Sequence, residues 1–222
     1  MLSAENLASI ESEGRRLGEA ARRDPGRAVP QYPGWALADL VAHTASMHGR
    51  TTLICRDLPA ERISAPQLPD GKEPVQWYEE TLEEMLQVLE EADPATPVWG
   101  FAPTPNLGFW ERRMVIETGI HRWDAFHAFG ETEPLTDWVA ESGLDEFGEM
   151  WLPRLGDTEL QPLGVESVDL SRSWVYGGGT TTSTVTGTGS DLYLRLMSRP
   201  STVELPADWS AAVDGLAPPP KR

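Results

Sequence analysis

Cysteine is almost missing from this chain. A single residue, Cys55, in 222 excludes an internal disulfide framework and a cysteine-based zinc cage. Histidine is scarce too: His43, His48, His121 and His127 are the full set, so a metal site must draw on these and on carboxylates. Positive charge is in deficit, with 18 Lys and Arg against 35 Asp and Glu and a net charge of −17. No basic stripe is available to neutralise phosphates, which argues against a nucleic-acid partner. The deficit does not fix the sign of a local pocket. No apolar run approaches the ~20 residues of a membrane span. The stretch from Ser3 to Asp24 is charged and periodic, without the apolar core of a signal peptide. The expectation is a cytoplasmic protein with no membrane partner.

What is present suits a folded protein of one domain or two small ones, with 40% apolar and 24% charged residues. Nine tryptophans serve either a packed core or the lining of a ligand cavity. Helical periodicity predicts a first helix from Ser3 to Arg23, ended by Asp24-Pro25-Gly26. A second runs from Ala36 to about Arg56 and a third from Pro74 to Glu91. The fourth runs from Leu107 to Phe129, with Gly130 as its stop. A fifth covers Pro134 to Trp151. Each has one apolar face to bury and none is apolar all round, so a bundle is the natural solution. Pro59 to Pro74 and Asp93 to Gly108 read as loops.

The texture changes after Pro153. Leu155 to Pro162 reads as a linker, Val165 to Tyr176 alternates weakly, and Gly177-Gly178-Gly179 is a turn. Thr180 to Thr186 is strand-like. A short helix follows through Asp191 to Met197, with Ser190 as its cap, then a strand at Thr202 to Leu205 and a terminal helix at Trp209 to Val213. Ala217 to Arg222 is a proline-rich tail. This second unit is small enough that it should pack against the bundle.

Glu117 and His121 form the sharpest chemical signal. Four residues apart on a helix, they project from one face. Such a pair also serves simply to stabilise an exposed helix. His43, on the second helix, can face the same interior or stand as a polar histidine on a helix face. Two imidazole nitrogens and one carboxylate oxygen leave a position open on zinc, as catalytic sites do. Asp124 can hydrogen-bond a ring nitrogen of His121 or orient a bound water, or else pair with Arg122. His48 and His127 fall out of phase with His43 and His121 and point elsewhere, and Cys55 is a bystander. Arg50, Arg112, Arg113, Arg122, Arg195 and Arg199 are the charges near these segments, and an anionic substrate needs at least one. Arg199 can reach across the domain seam or remain a solvated charge at a helix end.

Three stretches carry a family resemblance. Gly34-Trp35-Ala36-Leu37-Ala38-Asp39-Leu40-Val41-Ala42-His43 resembles a Gly-Trp, gap, Asp-Leu-Val-x-His motif. Glu117-Thr118-Gly119-Ile120-His121-Arg122-Trp123-Asp124-Ala125 resembles Glu-x-x-x-His-Arg-Trp-Asp-Ala. Thr186 to Arg199 resembles the start of a small C-terminal domain. Together they are similar to the mycothiol-dependent maleylpyruvate isomerase family, within the DinB-like metal-dependent bundles. The resemblance implies an α+β fold: a DinB-like four-helix bundle over residues 1–154 and a small C-terminal α/β domain over 155–222. It implies Zn2+ or another divalent metal on His43, Glu117 and His121, with mycothiol, the low-molecular-weight thiol of actinobacteria, bound through its sulfur. It implies a part in activity for Arg199, where the family's Gly-Arg is Ser198-Arg199 here. The expected reaction is reversible addition of a zinc-bound thiolate to the activated cis double bond of a small, anionic electrophile. A mycothiol S-transferase would share the first half of that mechanism, and the ligands do not separate the two. A metal-dependent hydrolase with Asp124 as base, and a non-enzymatic metal-binding module, complete the alternatives. A monomer or small homo-oligomer is expected.

Overall fold

The computed structural model describes residues 4–155 and 160–216. Four helices form the first unit: α1 (Ala4–Arg23), α2 (Leu37–Asp57), α3 (Pro74–Glu90) and α4 (Leu107–His127). Helix α1 packs on α3 and α4, and α2 packs on the same two, which closes a bundle. Small residues and single polar ties set the distances. A Cβ on Gly14 would meet Leu82 at 2.7 Å, and the Tyr78 hydroxyl donates to the Gly14 carbonyl at 2.9 Å. Between α1 and α4 the buried Arg122 guanidinium donates to Glu13 at 2.5 Å. Burying either charge alone would be costly, so the pair fixes how these two helices meet.

Helix α4 departs from the expectation of one buried face. Every residue from Met114 to Ala125 is buried. The helix does not look apolar because its buried polar groups, Glu117, Thr118, His121, Arg122 and Asp124, have partners inside the protein. Asn106 starts it by accepting from Phe109 N at 2.9 Å. Gly130 follows its end at φ +76°, a left-handed conformation that suits glycine.

The second unit holds α5 (Asp137–Glu146), a π turn at Phe147–Trp151, a 3-10 turn at Leu152–Arg154, three strands and two short helices. The strands are β1 (Leu163–Ser167), β2 (Ser173–Tyr176) and β3 (Ser183–Gly187), in the order β2-β1-β3. β1 is antiparallel to β2, with Val165 opposite Trp174, and parallel to β3, with Val165 opposite Val185. α6 (Gly189–Leu196) and α7 (Ala207–Asp214) complete it. Leu163, Phe147, Tyr193 and Trp209 are at the centre of its core. The fold is therefore α+β, a DinB-like helical bundle followed by a small α/β unit.

Contacts divide the chain between Glu133 and Pro134, earlier than the boundary expected at 154/155. The reason is what holds α5. Gly143 lies so close to Tyr193 of α6 that a Cβ there would sit 2.5 Å from the ring, and the Tyr176 hydroxyl donates to the Leu144 carbonyl at 2.6 Å. Other expectations also shift. The cap of α6 is Thr188, which accepts from Asp191 N at 3.1 Å, and Ser190 instead accepts from Leu135 N at 2.9 Å. Residues 202–205 form no strand. The alternating run of residues 165–176 is two strands joined by a turn. The proline-rich tail from 217 on, Ser3, and half of the expected linker, residues 156–159, lie outside the described residues. No helix among the described residues is long and apolar enough to cross a membrane.

Candidate metal centre

α2 and α4 lie side by side, and each contributes one turn to a buried polar cluster. His43 Nε2 is 3.0 Å from Glu117 Oε1, and His121 Nε2 is 3.3 Å from the same oxygen. One donor atom from each of the three residues lies within 4.8 Å of the others. All three side chains are buried. The two imidazole rings are perpendicular, with centroids 5.3 Å apart.

The surroundings decide which atoms face inward. His121 Nδ1 is 3.1 Å from Asp124 Oδ2, and Asp124 is fully buried. A carboxylate there keeps the proton on Nδ1, so in the neutral ring Nε2 turns its lone pair toward Glu117 Oε1. A lone pair facing a carboxylate oxygen needs a positive species between them, either a proton or a metal cation. Glu117 Oε2 faces the other way and accepts from Arg113, one helical turn earlier. Burial alone would push the Glu117 carboxyl up. The Arg113 and His121 charges and the two imidazole hydrogen bonds outweigh it and hold the group well below the usual carboxylate range. Burial pushes His121 down, but the Glu117 charge and the Asp124 hydrogen bond raise it on balance. Two imidazole nitrogens and one ionised carboxylate oxygen are a donor set that fits zinc or a similar divalent cation with room for a further ligand.

The loop before α2 supplies an aromatic wall. Val29 N donates to the Trp35 carbonyl at 3.0 Å, and Tyr32 N donates to the Val29 carbonyl at 3.0 Å. This tight loop needs a residue at φ +83°, which Gly34 provides. It brings Trp35 to 5.5 Å from His43 and Tyr32 to 5.8 Å from His121, ring centroid to centroid. Both rings are buried.

The cluster gathers His43, Glu117, His121 and Asp124. Arg199 belongs to the second unit, where its Nη1 donates to the Met197 carbonyl at 2.7 Å. Of the remaining arginines, Arg113 is on Glu117, Arg122 on Glu13, and Arg195 on Asp214 and Ser210. His48 is fully buried against Thr118, 3.0 Å from its hydroxyl, and His127 stacks on Trp123 at 4.7 Å. Burial pushes the Cys55 thiol up to about 12, so it is not a thiolate near neutral pH. Sequence reasoning named Arg113 only as a charge near these segments, not as the partner of Glu117, and missed Tyr32. The Arg113–Glu117 spacing was a readable signal, whereas nothing local marked Tyr32.

A buried His/Glu/His set carried by two helices of a four-helix unit, followed by a small α/β unit, defines a helical bundle of the DinB-like class with a candidate metal site. Comparison narrows the class to a family. The family model described as the mycothiol maleylpyruvate isomerase N-terminal domain matches residues 7–126, and the chain belongs to that family. Among solved structures, the crystal structure of the mycothiol-dependent maleylpyruvate isomerase is similar, as is that of a histidine-to-alanine mutant of the same enzyme. Each aligns with a TM-score of 0.70 and 13% identity, covering 91% of this chain and 94% of the other. At that identity the likeness shows the fold alone. No curated protein matches.

Proposed function

We propose that the chain is a metal- and thiol-dependent isomerase of the maleylpyruvate isomerase type, with mycothiol as the thiol and a small anionic electrophile as substrate. The observation that carries this reading is the buried cluster of His43, Glu117 and His121, with Asp124 behind it, in a chain of this family. A zinc ion on these three residues would supply the Lewis acidity that keeps a thiol ionised near neutral pH.

The chain's own residues do the rest. Asp124 holds the proton on His121 Nδ1 and fixes that ring's orientation. Tyr32 and Trp35, both buried, stand against the His121 and His43 rings and limit where those rings can move. In the reaction, the thiol sulfur gives an electron pair to the activated cis double bond and an enolate forms. The new single bond rotates. Collapse of the enolate expels the same sulfur and leaves the trans isomer. Arg199 is the proposed partner of the substrate carboxylate or the developing enolate. A hydrolase would use Asp124 as its base, but Asp124 is fully buried and directed at His121, which favours positioning over proton abstraction.

Zinc content of the purified chain beside His43→Ala and His121→Ala tests the site. Stoichiometric zinc in the wild type and little in either variant is expected, and equal zinc in all three would sink the reading. Zinc-loaded protein is then incubated with mycothiol and cis-enedione acids and read by mass and chromatography. Unchanged thiol with a trans product supports the isomerase. A stable conjugate identifies an S-transferase instead, and no thiol binding leaves a hydrolase or a binding module.

A further inference from the structure

Glu117 uses its two oxygens differently. Oε1 faces both imidazole nitrogens, at 3.0 and 3.3 Å, while Oε2 is taken by the guanidinium of Arg113. Arg113 is itself largely buried, with 13% of its side chain exposed. Positions 113 and 117 are one turn apart on α4, a continuous helix here, so the pairing is built into the backbone and needs no loop to adjust. From these observations we infer that Arg113 is a positioning residue for the metal centre, one that occupies Oε2 and so reserves Oε1 as the Glu117 oxygen turned toward His43 and His121. The inference rests on the reading of those three residues as a metal site.

The physical reason is geometric as well as electrostatic. A free carboxylate rotates about its last bond and can offer either oxygen or both. A guanidinium on one oxygen removes that freedom and fixes the plane of the group. It also adds a positive charge beside a cluster that already contains two carboxylates, Glu117 and Asp124. One guanidinium nitrogen of Arg113 is thereby committed to Glu117. Hydrogen-bond partners of ligating side chains commonly carry ~10–100-fold in metal affinity.

The test uses the full chain stripped of metal and its variants Arg113→Gln and Arg113→Lys, with circular dichroism to show that each is folded. Zinc affinity is measured against a chromophoric chelator. Co2+ is titrated in parallel, because its visible absorption follows ligand number and geometry. The expected result is zinc binding weakened ~10–100-fold in Arg113→Gln, with a changed cobalt spectrum, and a partial return of both in Arg113→Lys. Wild-type affinity and spectrum in Arg113→Gln would overturn the positioning role and leave the metal reading standing. A wild-type chain that takes up neither zinc nor cobalt overturns both. Should Arg113→Gln not fold, Arg113→Lys decides: a spectrum identical to wild type overturns the role, and an altered one supports it.

Discussion

His48 shows what one buried imidazole does in a bundle that already devotes two others to a polar cluster. Its ring is fully buried, with Nε2 3.0 Å from the Thr118 hydroxyl. Burial lowers its pKa from 6.5 to about 3, and the nearby Glu117 charge only partly opposes that. The sign of the stability effect follows. In the unfolded chain His48 gains a proton as pH falls through about 6.5, while in the folded chain it does not until about 3. Its contribution to stability is therefore complete above pH 6.5 and is lost as pH falls toward 3. Between pH 7 and pH 4 this one group should remove about 3 kcal/mol. Denaturant titrations at the two pH values check this, with His48→Gln as control, since the amide keeps a polar partner for Thr118 but does not titrate. The pH-dependent loss should shrink by about that amount in the variant. An equal loss in both proteins would show that His48 does not stay neutral.

At the scale of an element, α6 shows how a family difference in one residue is absorbed. The helix ends with Arg199 N donating to the Leu194 carbonyl at 2.8 Å and Ser198 N to the Arg195 carbonyl at 3.1 Å. These are the two bonds of a Schellman motif, and they place Ser198 in the left-handed region at φ +58°. Glycine, the residue the family resemblance leads one to expect there, takes this conformation at no steric cost. Serine loses about 1 kcal/mol. Its hydroxyl offsets this by donating to the Val213 carbonyl of α7 at 2.5 Å. Ser198→Ala keeps the backbone cost and loses the bond, so it should destabilise by about 1 kcal/mol. Ser198→Gly exchanges one for the other and should fall within about 0.5 kcal/mol of wild type. Thermal or denaturant melts of the two variants check the order, and alanine matching glycine would show that the left-handed turn carries no cost. The same element scale explains α4. Its polar and apolar residues are not sorted to opposite faces, because the run from Met114 to Ala125 is buried throughout and Glu117, Thr118, His121, Arg122 and Asp124 meet partners inside the protein.

For the whole molecule the governing quantity is the net charge of −17. An anionic electrophile approaching such a chain at low ionic strength meets a repulsive field, and salt screens it. The Debye length falls from ~30 Å at 0.01 M to ~8 Å at 0.15 M. If the substrate is anionic as proposed, kcat/KM should rise, by about twofold or more, as salt increases over that range. Steady-state rates in sodium chloride, with an uncharged electrophile as control, check this. A falling rate would mean that local positive groups dominate approach.

Much of this architecture was legible in the chain. The four bundle helices appear within a few residues of their expected limits, because their apolar spacing, Asp24-Pro25-Gly26 and Gly130 are local signals that packing did not override. Glu117, His121 and Asp124 were legible as one surface of α4 because helical geometry alone places them there. Other features depended on contacts between distant residues. That Glu117 Oε1 meets His43 across 74 positions, that Tyr32 stands against His121, and that α5 packs on α6 through Gly143 are consequences of packing. Burial decided the rest. A sequence shows that Arg113 and Glu117 can pair, but only the enclosed interior, where an unpaired charge is costly, turns that spacing into a fixed contact beside the candidate metal centre.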